Sequence, residues 1–158
     1  MEARTIIDNL EHKISELGTF TRLKHHNAAV LDLTYEALEK ARDLRVESLA
    51  LMEAFKQFTN SVSELTVLEH DARQEVLRLY ALLIKTDGGL HVEFWQRDCD
   101  CCEATHTAAY ETRDDLDEAI NDFHDGAEGP TGWHLITKEE YENFTPEMRD
   151  RAAEQMGY

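Results

Sequence analysis

Proline first occurs at Pro130, and no glycine stands between Gly18 and Gly88, so for most of this 158-residue chain nothing forces a helix to end. Long apolar runs are missing too. The longest, Leu79 to Ile84, falls far short of the roughly 20 residues a membrane-spanning helix requires. The first ten residues carry acids and no basic-then-apolar pattern, which speaks against a secretory leader. Cysteine is confined to Cys99, Cys101 and Cys102, an odd number packed too tightly for a disulfide framework, so reduced thiols and a cytoplasmic setting are expected. Bases are scarce: 16 Lys and Arg against 33 Asp and Glu give a net charge of −17, which excludes direct binding to nucleic acid phosphates and to an anionic membrane surface.

With 42% apolar and 31% charged residues the chain is expected to fold into a core, and its charge is polarised. Residues 1–88 hold 15 acids and 11 bases, whereas residues 89–158 hold 18 acids and 5 bases. Structural style changes at the same place. Residues 1–88 are read as a helical, coiled-coil-like bundle and residues 89–158 as an acidic α+β module, an α+β fold that is mostly helical.

Three helices are expected in the first part. One runs from Ala3 to Leu17, with Ile6, Ile7, Leu10, Ile14 and Leu17 on one face and Gly18 as its stop. The second begins after Thr21 and carries an apolar residue at every seventh position, Val30, Ala37, Leu44, Leu51, Phe58 and Leu65, beside the row Thr34, Ala41, Ser48, Phe55 and Val62. A break is expected near Thr59-Asn60, with Ser61 to Glu64 as a capping box. The third helix would bury Leu65, Leu68, Ala72, Val76, Tyr80, Leu83 and Ile84 and end at Asp87-Gly88-Gly89. Such heptads serve either an intramolecular bundle or a homodimer through the long helices.

After Gly89 the period shortens to two. "LHVEFWQ" and "EATHTAAYET" read as a hairpin connected by the cysteine stretch, and "WHLIT" as a third strand of an antiparallel sheet. Thr112 opens a helix that buries Leu116, Ala119, Ile120 and Phe123; Thr137 caps a short one, and Thr145-Pro146 starts a last one. The module is therefore ββαβα with a second terminal helix.

Motifs of catalysis are absent: the chain has no H-E-x-x-H, no G-x-S-x-G elbow and no glycine-rich phosphate loop. Cys99, Cys101, Cys102 and His106 offer four zinc ligands, with His91 and His124 as substitutes, but the second ligand pair of a zinc signature is missing. The C-x-x-C interval lacks the helix N-terminus that activates a redox thiol, and surrounding acids oppose thiolate formation. An acidic turn is the leading reading of that stretch, and zinc the alternative.

Between Asp98 and Glu128 eleven acids face one base, Arg113. Adaptation to salt would spread acids evenly, so the concentration implies a local purpose. Asp98, Asp100, Glu103, Glu111, Asp114, Asp115, Glu118, Asp122 and Asp125 are the candidate partner-binding residues, projecting carboxylates toward a basic, nucleic-acid-binding protein surface. In size and charge the chain resembles small acidic inhibitors that occupy such grooves, including phage proteins that block host nucleases, CRISPR effectors or polymerases. That resemblance implies a nucleic-acid mimic without catalysis, of the anti-CRISPR or anti-host-defence kind.

Overall fold

The computed structural model describes residues 2–43, 49–99, 102–125 and 132–144. Two long helices, α1 (Ala3–Asp43) and α2 (Leu49–Asp87), precede strands β1 (Leu90–Cys99) and β2 (Cys102–Tyr110), helix α3 (Arg113–Asp125), strand β3 (Gly132–Ile136) and helix α4 (Lys138–Asn143). The fold is α+β and mostly helical, with a three-stranded antiparallel sheet in the order β2-β1-β3. The terminal helix expected from Thr145-Pro146 lies outside the described residues.

The helical part contains two helices where three were expected. Gly18 does not stop α1, because an isolated glycine costs only about 1 kcal/mol in a helix and the space a Cβ would occupy there is open. The Ser61–Glu64 box does not start a helix either. Thr59, Ser61, Ser63 and Thr66 donate their hydroxyls to the carbonyls four residues earlier, at 2.9 to 3.1 Å, so α2 keeps its own backbone ladder and the hydroxyls satisfy themselves upon it.

By their internal contacts the residues form two compact units, 1–10 with 78–158, and 11–77. The division falls inside α1 and α2 rather than at Gly88-Gly89, where only the element type changes.

Unit 11–77 is an antiparallel helical hairpin. Its half-buried positions follow a 3-4 spacing on both arms: Leu17, Phe20, Lys24, Asn27, Leu31, Thr34 and Leu38 on α1, and Leu51, Phe55, Phe58, Val62 and Leu65 on α2, continued by buried Glu69, Ala72 and Val76. Val30 and Ala37 therefore flank the seam instead of lining it. Leu44 lies outside the described residues, and a heptad counted straight from Val30 to Leu65 loses its phase where one helix ends and the other begins. Leu68, expected inside, is 45% exposed. Tyr35 meets Phe55 edge to face at 4.7 Å across the hairpin.

Buried Glu69 fixes the hairpin's register. Lys24 Nζ donates to one of its carboxylate oxygens at 2.6 Å, and Arg73 and Thr21 reach the other at 3.2 and 3.5 Å. A charged pair within a seam costs stability against leucine, yet it penalises every register that separates the partners.

The other unit is built on β1, the central strand. Leu90, Val92 and Phe94 alternate onto one face and are buried, as are Ile6, Ile7 and Leu10 of α1, Leu79, Tyr80 and Leu83 of α2, and Leu116 of α3. Gly88, at φ 72°, makes the left-handed turn that ends α2. Gly89 must also lack a side chain, since a Cβ there would meet the Tyr110 carbonyl oxygen at 2.9 Å. On the opposite face His91 is buried with its ring 5.0 Å from that of Tyr141, and the Trp95 ring lies over Gly132, where a Cβ would overlap it.

Helix α4 starts as the sequence indicates. Thr137 and Glu140 form a reciprocal capping box, the Lys138 backbone N–H donates to Asp87 Oδ2 at 2.7 Å, and Arg4 pairs with Glu140.

Candidate functional site

Helix α3 carries most of the described acids of the run. Its entry is set by Thr112 and Asp115: Asp115 Oδ2 accepts from the Thr112 backbone N–H at 3.1 Å and its hydroxyl at 2.7 Å, while the Asp115 N–H donates to Thr112 Oγ1 at 3.2 Å. This is a capping box with aspartate in the acidic place. Leu116 is buried and Ala119 and Ile120 are half-buried, which turns the rest of the helix outward.

That outward surface is acidic. Glu111, Asp114, Asp115, Glu118 and Asp122 are all exposed, and Asp114, Glu118 and Asp122 succeed one another at intervals of four residues, about 6 Å along the axis. Arg113, the single base of the run, is withdrawn from it. Its guanidinium carbon stands 4.9 Å from the Tyr80 ring centre, and its Nε lies 3.2 Å from Asp117 Oδ2, an ion pair not aligned as a hydrogen bond. Asp117, the half-buried acid, is thus the one with a cation, and the five exposed acids share none of it.

Beyond its first turn an acidic row of this kind does not serve the helix. Like charges four residues apart repel by a few tenths of a kcal/mol, and acids beyond the first turn gain nothing from the helix dipole.

The remaining sequence candidates are placed less completely. Asp98 and Glu103 belong to the paired ends of β1 and β2, where Arg97 is the register partner of Glu103, and Asp125 is the last residue of α3. Asp100 lies outside the described residues. Cys99 and Cys102 are themselves strand residues and register partners, so the connection is shorter than the cysteine stretch; Cys101, and the substitute ligand His124's side chain, lie outside what is described. His106 sits four residues along β2 from Cys102, about 13 Å away, with its half-buried ring 6.1 Å from Phe94. His91 is buried against Tyr141. Among the described residues no three His, Cys, Asp or Glu side chains converge on a point that could hold a metal.

Comparison with protein-family models, curated proteins and solved structures finds no match to this chain. Its class is therefore defined by its own architecture: a helical hairpin and an α+β unit with an acidic helix. No described helix is long and apolar enough to cross a membrane.

Titration of this framework has a definite sign. Desolvation holds His91 and His106 below the ordinary value of 6.5, so the unfolded chain takes up protons there before the folded one and stability falls as pH drops below about 6.5. A second loss follows from the acids. The hydrogen bond from Lys24 holds Glu69 below 4.5; for Glu140, desolvation acts upward but the bonds from Thr137 and Arg4 outweigh it. Their contribution is present above about 4.5 and disappears as pH falls through the depressed folded values. Thermal melts at stepped pH are expected to show both declines, and a midpoint constant from about pH 7 to pH 5 would contradict the first.

Proposed function

We propose that this protein is a non-catalytic, cytoplasmic interaction protein whose α3 surface binds the basic groove of a nucleic-acid-binding protein and blocks it as a nucleic-acid mimic. The observation that carries this reading is the exposure of Glu111, Asp114, Asp115, Glu118 and Asp122 together, with Arg113 drawn onto Tyr80. Four exposed carboxylates on the helix, with Glu111 just before it, create a local negative potential that carboxylates on a mobile tail would dilute. A partner rich in Lys and Arg gains by releasing its own counterions, as it does on phosphates.

The test is competition. The full chain is titrated against a panel of purified nucleases, polymerases and CRISPR effectors, each bound to a labelled duplex or guide RNA, across a salt series. Displacement of nucleic acid from at least one of them, weakening steeply between about 50 and 200 mM salt, is the expected result. Binding unaffected by salt, or failure to displace nucleic acid from any member, overturns the proposal.

A further inference from the structure

The helical hairpin is under-buried. Between Glu11 and Leu68 no described apolar side chain is buried, although both arms are continuous helices. Isolated helix pairs of this kind draw most of their stability from packing, which here requires another layer.

One flank of the seam carries uncharged side chains from both arms. Leu23, Val30 and Ala37 recur every seven residues beside the α1 seam, and Ala54, Ser61 and Leu68 do so beside the α2 seam. In an antiparallel pair these two rows share a side. The register set by Lys24 with Glu69 and by Tyr35 with Phe55 places Leu23 near Leu68, Val30 near Ser61, and Ala37 near Ala54. Leu23 and Leu68 are each 45% exposed, Ala37, Ala54 and Ser61 are exposed, Val30 is half-buried, and none of the six is charged.

The six grade from large through intermediate to small along the hairpin. We infer that this face is the self-complementary interface of an antiparallel homodimer, in which two hairpins form a four-helix bundle. A two-fold axis lying in the face, perpendicular to the hairpin and passing through the Val30–Ser61 layer, sets Leu23 over Ala37 of the second copy and Leu68 over its Ala54. Large side chains then fill the hollows left by small ones, which a face of uniform size does not achieve with itself.

Area and the graded side-chain sizes select a second copy as the occupant, and charge opposes it least here. From residue 13 to 38 the hairpin face is about 38 Å long and about 20 Å wide, near the ~800 Å² per partner that a stable interface buries. Residues 11–77 contain 12 acids and 8 bases, net −4 of the chain's −17, so the hairpins carry the part of the chain least opposed to self-association.

Sedimentation of the full chain under reducing conditions tests the proposal, together with two variants. The wild type is expected to be a dimer. Ala37→Leu with Ala54→Leu, at exposed positions of the single chain and with a good helix former, is expected to leave the circular dichroism intact while overfilling the interface and weakening the dimer by roughly tenfold or more. Ser61→Cys, beside the two-fold axis, is expected to link to its own counterpart on mild oxidation, mapped by non-reducing digestion. Absence of the dimer, of the weakening or of that disulfide between the two copies overturns the inference.

Discussion

A chain carrying Glu118→Lys with Asp122→Lys is expected to lose its basic partner by about a hundredfold or more in affinity while unfolding at a higher temperature than the wild type. The two effects have opposite signs because Glu118 and Asp122, beyond the first turn of α3, oppose folding, whereas in the proposed complex they favour binding. In the wild type Asp114, Glu118 and Asp122 repel one another at four-residue spacing, and Asp122 stands near the helix C-terminus, where the dipole favours a cation. Reversal makes the pairing of Asp114 with position 118 attractive and supplies the cation near the C-terminus, while positions 118 and 122 stay like-charged, a net gain of about 0.5 kcal/mol, measurable as a rise of roughly 1–2 °C. In the proposed complex the same change puts two ammonium groups opposite a Lys- and Arg-rich groove. Calorimetry of both chains, paired with the displacement assay, reads the two effects separately. If the reversed chain melts lower, the acids support the fold; if it binds equally well, they are not the contact.

Phe94→Ala is expected to destabilise the chain by about 3–5 kcal/mol, a large share of a typical domain's total. Phe94 is 1% exposed at the middle of the central strand, with the His106 ring 6.1 Å and the Tyr110 ring 6.5 Å from it. Strands pair on both sides of it, with His106 and Trp133 as its register partners, so the framework has little freedom to collapse into the cavity. Val67→Ala provides the control: at 58% exposure it should cost no more than about 0.5 kcal/mol. Urea unfolding of both variants checks the contrast. A Phe94→Ala loss below about 1 kcal/mol would mean that the sheet is not packed as described.

Local chemistry made much of the sheet-bearing unit legible. Strict alternation in Leu90 to Gln96 gave β1 and its buried face, Thr137 with Glu140 gave the start of α4, and Thr112 marked the start of α3. In the hairpin, local signals misled. Gly18 and the Ser61–Glu64 box carry the right residue types for helix ends, but an isolated glycine is tolerated and helical hydroxyls bond backward as readily as they cap. The row Phe55, Val62 extends by sevens to Glu69 and Val76, so the buried acid had a signal in its spacing; its partner Lys24 had none until the arms were paired.

What the sequence by itself determined is what neighbours along the chain decide: helix against strand, the alternation of β1, the caps, and the concentration of acids after Asp98. Only the tertiary structure decided how far each helix runs, which heptad row faces inward, and that Arg113 is drawn onto Tyr80 and away from the exposed acids of its own helix. The physical reason is distance in sequence. Lys24 and Glu69, or Tyr80 and Arg113, are tens of residues apart, and their pairing is chosen by the packing of whole elements rather than by anything in their own surroundings.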